Sequence, residues 1–419
     1  MNNKHQFLRR IKISWKVVAI VLSVALSAVY LSPTFAEGAS PTHFGLLEAW
    51  VDLQAAEELG IQWVRAHLEW DLVQRNPGAE FTWEAFDDYV RDLQRHGFQT
   101  LVTLFPFAPW DQEQCHSQGK PLGPPCDMTA YRRFVRAAVE RYDGDGIDDM
   151  PGLRRPILYW EVFNEPGMKD LPPFYHFTPH DYFALLKATS EEIKAACSRC
   201  KVVQGGVAGI APDKKEFLRS YLALGAGKYF DIANVHFIHS GDFDTLNVGP
   251  FKGILEEYGI CKPIWVTEIQ IESGPGADYP YLNDEEAAAT LVKGYVRAFA
   301  LGADKFFYVV LKPAPEFPPN VTAASLIDSH GEKRATYFAM KTMIEKLGHF
   351  LHVARLADGL FEFEGPSNAV YVVWDCDQLP RNIFKQEMVS ITGIYGETRV
   401  ISTGEVRVGD IPAFIEPAP

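Results

Sequence analysis

The chain has 419 residues, of which 47% are hydrophobic and 22% charged, so a large core is available and wholesale disorder is excluded. The net charge of −14 argues against nucleic acid or an anionic surface as the main partner and suits a neutral or cationic substrate better. The length exceeds one typical domain, but fits a (β/α)8 barrel of about 250 residues with a small appendage.

The first 36 residues read as a processing segment and stand apart from the fold. Lys4, Arg9, Arg10, Lys12 and Lys16 form a basic leader, Val17 to Leu31 is an uncharged apolar run, and Thr34-Phe35-Ala36 offers small residues where a signal peptidase reads. The run is short for a span of about 20 residues, which leaves a cleaved export signal and a retained N-terminal anchor as the alternatives. The basic leader stays inside in both cases, so the body of the protein is expected outside the cell membrane.

From there the chain alternates. Strand-like runs near Phe44–Glu48, Trp63–Leu68, Thr100–Phe105, Ile157–Asn164, Val202–Val207, Ile232–Phe237, Ile264–Ile269 and Phe306–Leu311 are interleaved with amphipathic helical patterns, the last at Ala335–Leu347. Strand alternating with helix means parallel crossovers. Eight such strands fit a closed barrel over residues 37–348 better than an open doubly wound sheet, because no Gly-x-Gly-x-x-Gly turn follows an early strand. After Gly348 the pattern changes to short alternating strands without helices, at Phe361–Phe363, Ala369–Trp374, Val389–Ile394, Thr398–Ile401 and Glu405–Val408. Residues 349–419 therefore read as a small all-β domain.

Several side chains stand out in chain order. Arg65 lies inside the apolar strand Trp63-Val64-Arg65-Ala66-His67 and demands a partner, structural or functional. Phe105, Phe107 and Trp110 follow the third strand, and Phe174, Tyr175 and His176 follow the fourth; their planes can stack on a ligand ring or pack a long loop. The acidic turn Asp143-Gly144-Asp145-Gly146-Ile147-Asp148-Asp149 lacks the order of an EF-hand and reads as solvated loop. The fourth strand carries Glu161, Asn164 and Glu165 and stops at Pro166, which cannot continue a ladder. A carboxylate at the carboxyl end of a barrel strand is a catalytic candidate by position. Glu161 lies a layer deeper and reads as a buried, partnered carboxylate. The strand Pro263-Ile264-Trp265-Val266-Thr267-Glu268 has the same texture and supplies a second strand-end carboxylate, Glu268.

Six cysteines are compatible with an exported location, where disulfides persist. Cys115 and Cys126 flank a loop containing Gly and Pro and are the preferred pair. Cys197-Ser198-Arg199-Cys200 has the spacing of a redox or zinc motif, but no second pair follows, which disfavours zinc.

Trp160-Glu161-Val162-Phe163-Asn164-Glu165-Pro166 followed by Trp265-Val266-Thr267-Glu268 resembles the retaining glycoside hydrolases of clan A, with family 39 and its neighbours in family 5 most similar. The resemblance covers roughly residues 42–348. It implies that Glu165 is the acid/base, Glu268 the nucleophile, Asn164 a ligand of the sugar 2-hydroxyl and Arg65 a cation beside Glu268. Clan A members often carry His-x-Tyr on strand six; here His236-Phe237-Ile238 lacks the tyrosine, and His236 stays a candidate for the site, with a satisfied core histidine as the alternative. On strand eight a tryptophan commonly floors the sugar subsite, and Tyr308 is offered instead. The expected activity is hydrolysis of O-glycosidic bonds of oligo- or polysaccharides through a covalent intermediate, without metal or cofactor. The other reading is a carbohydrate-binding barrel that no longer catalyses.

Overall fold

The computed structural model describes residues 42–47, 49–116, 122–168, 177–274, 276–277, 282–377, 383–384 and 386–418. The export segment and the three aromatic candidates Phe174, Tyr175 and His176 lie outside the described residues.

Nine short strands build one parallel sheet: β1 (Phe44–Leu47), β2 (Trp63–Glu69), β3 (Gln99–Phe105), β4 (Tyr159–Val162), β5 (Lys201–Gln204), β6 (Ala233–Asn234), β7 (Phe237–Ile238), β8 (Ile264–Gln270) and β9 (Ala303–Tyr308). Their order is β5-β4-β3-β2-β1-β9-β8-β6, and β7 also pairs with β8, so β6 and β7 are two pieces of one stave. Parallel bridges Val203↔Ile232 and Val207↔Val235 join that stave to β5 and complete the ring. The chain thus forms an eight-staved (β/α)8 barrel.

Between the staves run α1 (Leu53–Leu59), α2 (Trp70–Val73), α3 (Glu84–Arg95), α4 (Pro109–Cys115), α5 (Met128–Tyr142), α6 (Pro179–Ala196), α7 (Pro212–Ala223), α8 (Val248–Glu257), α9 (Asp284–Ala300), α10 (Pro319–Ala324) and α11 (Ala335–Leu347). The sequence fixes several of their starts locally. Thr178 and Asp181 form a capping box ahead of α6 with Pro179 in the first turn, and Asn283 and Glu286 do the same for α9. These helices bury Tyr182, Leu185 and Ile193, and Leu291, Val292 and Tyr295, in the layer outside the sheet.

The inward positions follow the two-residue period of the strands and stack in layers. Trp63, Leu101, Val203, Ile232, Trp265 and Phe307, with Tyr159 against them, fill the amino-terminal end. Two residues further along the strands come Arg65, Thr103, Glu161, Asn234 and Thr267, all buried. The third inward position holds buried Phe105 and His236 and a half-buried His67, whose ring meets Phe105 edge-on.

The C-terminal region is a six-stranded antiparallel sheet made of β10 (His352–Ala357), β11 (Leu360–Glu364), β12 (Ala369–Val373), β13 (Met388–Gly393), β14 (Thr398–Ser402) and β15 (Ala413–Pro417), in the order β10-β11-β12-β15-β13-β14. Two of these strands were not expected from the sequence. β10 is an edge with little burial, so it carries no clean alternation, and β15 is a short run closing on Pro417. The expected strand at Glu405–Val408 is instead a 3-10 turn over Thr403–Glu405 and a single bridge from Val408 to Cys376. The sheet shares a core with the barrel: Phe299 of α9 packs edge-on to Phe350 and Phe363, and the Arg297 guanidinium lies 5.1 Å from the Trp374 ring.

Disulfides join Cys115 to Cys126 and Cys197 to Cys200, while Cys261 and Cys376 are free thiols.

Candidate active site

The second inward layer is a polar network centred on Glu161. Its Oε2 accepts from Arg65 Nε at 2.6 Å and from the Thr103 hydroxyl; its Oε1 accepts from Asn234 Nδ2 at 2.6 Å and from the Thr267 hydroxyl at 2.9 Å. A buried carboxylate with both oxygens doubly satisfied is stable in this interior, whereas an unpaired one is not. Arg65 fans upward from it, donating from Nη1 to Glu268 Oε1 at 2.6 Å and from Nη2 to Asn164 Oδ1 at 2.7 Å. Burial alone would lower the Arg65 pKa, but the charges of Glu161 and Glu268 and their hydrogen bonds raise it above its ordinary value. Arg65 is a permanent cation under the site.

Glu165 and Glu268 stand above this layer. One oxygen of each and a ring nitrogen of His236 all lie within 4.8 Å of one another. His236 Nδ1 is 2.8 Å from Glu165 Oε1 and 3.8 Å from Glu268 Oε2, and its Nε2 is 3.0 Å from Thr267 Oγ1. Burial would depress the imidazole, but the Glu268 charge and the Glu165 contact outweigh it and the opposing Arg65, so the His236 pKa is raised. Two glycines make the approach possible. A Cβ on Gly206 would fall 1.9 Å from His236 Nε2, and one on Gly205 would fall 2.4 Å from the Val162 carbonyl oxygen.

Backbone irregularities aim both carboxylates. β4 ends at Val162, not at Glu165 as the sequence suggested, and Phe163 and Glu165 take positive φ of 66° and 45°. Non-glycine residues in that region cost about 1–3 kcal/mol each and persist where the surroundings over-determine them. Here they turn Glu165 back over the barrel mouth. In β8 the register with β9 shifts between Val266↔Phe306 and Ile269↔Tyr308, so three steps of β8 oppose two of β9. The extra residue lets the neighbours Thr267 and Glu268 both bond into the interior, to Glu161 and to Arg65.

The structure brings Arg65, Asn164, Glu165, His236 and Glu268 together, whereas Trp110 and Tyr308, expected as sugar contacts, bond elsewhere. Arg65 has no exposed side-chain surface, and its bonds run to Glu161, Thr103, Glu268 and Asn164, so it positions the site from below. Tyr308 faces away: its hydroxyl donates to the Ala324 carbonyl at 2.8 Å in the layer outside the sheet, because the inward residue of that pair is Phe307. Trp110, on α4, donates its indole N–H to the Gln74 carbonyl and packs edge-on to Trp70, contacts that serve loop packing. His67 was not singled out by the sequence. It lies half-buried beside Arg65 and His236, and desolvation with those two charges holds its pKa well below its ordinary value. Thr103, Asn234 and Thr267 were missed as well; their signal was a polar residue at an inward position of an otherwise apolar strand.

Glu165, His236 and Glu268 offer a set of donors a divalent ion could use, but the Arg65 cation bonded to Glu268 opposes a second positive charge there. Asp143, Asp145 and Asp149 also cluster, and oxygens of all three accept backbone N–H groups of their own loop.

No family model and no curated protein matches this chain. Among solved structures, similar folds include a family 39 glycoside hydrolase from Bacteroides cellulosilyticus WH2, with TM-score 0.66 and 18% identity over 90% of this chain and 81% of that one. A monomeric β-xylosidase from Caulobacter crescentus CB15 aligns with TM-score 0.62 and 16% identity over 91% and 98%. A family 5 protein from Bifidobacterium longum subsp. infantis aligns with TM-score 0.52 and 14% identity over 73% and 79%. The fold is the one these glycoside hydrolases use.

Proposed function

We propose that the protein is an exported, retaining β-glycoside hydrolase acting on oligo- or polysaccharides, with Glu268 as nucleophile and Glu165 as acid/base. The observation that carries this reading is the placement of a Glu165 oxygen and a Glu268 oxygen within 4.8 Å, one carboxylate on Arg65 and the other on His236. Retaining chemistry uses carboxyls about 5–5.5 Å apart, whereas inversion needs room for water and about 6.5–9.5 Å. Export is supported by the basic leader and apolar run of residues 1–36 and by two disulfides. The β-configured substrate is supported by the β-xylosidase among the fold neighbours.

In the first step Glu268 attacks the anomeric carbon as the leaving oxygen takes the proton held at Glu165. In the second, water attacks the glycosyl ester, its proton returns to Glu165, and Glu268 is released. Arg65 favours the charged form of Glu268, and its bond to Asn164 Oδ1 orients that amide so that Nδ2 is free to meet the sugar 2-hydroxyl.

Azide distinguishes the roles. On aryl β-glycosides with good leaving groups, Glu165→Ala should retain the first step and yield a β-glycosyl azide when azide is added. Formation of the β-azide by Glu268→Ala instead would exchange the assignments. No turnover by the wild type on any aryl β-glycoside or polysaccharide would favour a binding protein on the same barrel.

A further inference from the structure

Thr267 stands next to Glu268 yet faces the other carboxylate's partner. The Asn234 amide is oriented by the Thr267 backbone N–H, which donates to its Oδ1 at 3.2 Å; the two hydrogens on Asn234 Nδ2 are shared among Glu161 Oε1 at 2.6 Å, Thr267 Oγ1 at 2.7 Å and the Gln204 carbonyl at 3.1 Å, so this amide only donates towards Thr267. The single proton of the Thr267 hydroxyl goes to Glu161 Oε1 at 2.9 Å, since that carboxylate is paired with Arg65 and only accepts. What remains on Oγ1 is a lone pair, and it faces His236 Nε2 at 3.0 Å. Nε2 must then carry hydrogen in every protonation state of the ring, which leaves Nδ1, 2.8 Å from Glu165 Oε1, as the atom that titrates.

We propose that Thr267 is a positioning residue that locks His236 in its Nε2–H tautomer, so that His236 Nδ1 and Glu165 share the one proton the reaction delivers to the leaving group. This rests on the acid/base role proposed for Glu165. Before reaction the shared proton bridges Nδ1 and Oε1. As it moves to the glycosidic oxygen, the C1–O bond breaks and a C1–O bond to Glu268 forms. The pair is left with a nitrogen lone pair against a carboxylate oxygen, an arrangement relieved only by regaining a proton. Water supplies it while its oxygen bonds C1 and the Glu268 ester breaks. Were His236 able to take the Nδ1–H form, it would donate to ionised Glu165 and stabilise the deprotonated pair, weakening it as the base of the second step.

The other charged or titratable groups facing His236 are Glu268 at 3.8 Å, Arg65 and His67 from β2, and Glu161 through Thr267. None of them reaches Nε2 in place of Thr267. The raised pKa of His236 agrees with a proton held at Nδ1 between two carboxylates.

The direct test is nitrogen-15 NMR of histidine-labelled full-length protein without substrate, with His236 assigned from the His236→Gln spectrum. Above the titration of the ring, the wild type should show the Nε2–H tautomer and Thr267→Val the Nδ1–H tautomer. In kinetics, Thr267→Val should move the basic limb of kcat/KM to lower pH by roughly one unit, the worth of one charge-assisted hydrogen bond, and Thr267→Ser should restore it. A wild-type ring in the Nδ1–H form overturns the proposal whether or not the valine variant folds. A basic limb unmoved in a folded Thr267→Val does so too. Because the tautomer is read without turnover, its failure is separate from a failure of the glycosidase reading, which the azide experiment detects.

Discussion

The two ends of the barrel interior are made from the same strands and differ in chemistry. At the amino-terminal end, Trp63, Leu101, Val203, Ile232, Trp265 and Phe307 interlock, with Trp63 and Trp265 edge to face at 5.5 Å and the Lys305 ammonium 5.0 Å from the Trp63 ring. Two and four residues further along, the same staves present Arg65 and His67, Thr103, Glu161, Asn234 and His236, and Thr267, all buried except the half-buried His67. The apolar end needs only shape, and gains from burial. The polar end holds charges out of water, which is tolerable only because each is bonded to the next. The comparison predicts that substitutions at one end change stability and at the other change chemistry, with Arg65 the residue where both change together.

The largest expected effect is on the chemistry alone. Glu268→Ala should lower turnover on the order of 10⁵-fold, as loss of a nucleophile does in other covalent mechanisms, while the melting temperature stays near wild type. Steady-state kinetics and calorimetry on the same preparation read both; a large drop in melting temperature would mean that Glu268 is structural.

Arg65→Met should cost both. It leaves the buried Glu161 and the partly exposed Glu268 without their cation, so denaturant unfolding should show a loss of about 3–5 kcal/mol. Turnover of what remains folded should be crippled, because Glu268 loses its donor and Asn164 its orientation. Full activity in a folded Arg65→Met would break the link between the two layers.

At the other end, Trp265→Ala should cost about 3–5 kcal/mol of stability through the cavity it leaves, with kcat nearly unchanged below the melting range. Loss of kcat in folded protein would show that the apolar plug also sets the geometry above it.

The smallest effect is a pH dependence. The folded pKa of His236 lies above its ordinary 6.5, so its contribution to stability is fully present below that value and is lost as pH rises through the folded pKa. The melting-temperature gap between wild type and His236→Gln should therefore be widest near pH 5.5 and narrow at alkaline pH. A gap that widens with rising pH would contradict the charged contact to Glu165.

Much of this was legible in the sequence because strand periodicity and barrel position are local. The strand-end carboxylates Glu165 and Glu268 and the deeper Glu161 could be placed from apolar runs and a proline alone. Tyr308, which the resemblance offers in place of a strand-eight tryptophan, runs against the period of its own strand, which puts Phe307 inward. Thr267 and Glu268 are adjacent, so strict alternation would send one of them outward; the extra residue that turns both inward exists only in the pairing of β8 with β9. The positive φ at Phe163 and Glu165 likewise has no mark in that segment's own residues, and the backbone there runs close against Gly205, where a Cβ would fall 2.7 Å from the Phe163 carbonyl oxygen. Such features belong to contacts between strands and have no mark in a single strand's residues.

The most direct test of the double-displacement account is proton NMR of the first-formed sugar from an aryl β-glycoside that the wild type hydrolyses, recorded before mutarotation. The close carboxylates predict a β-configured product. An α-configured first product would mean direct attack by water and would contradict the assignment of Glu268 as nucleophile.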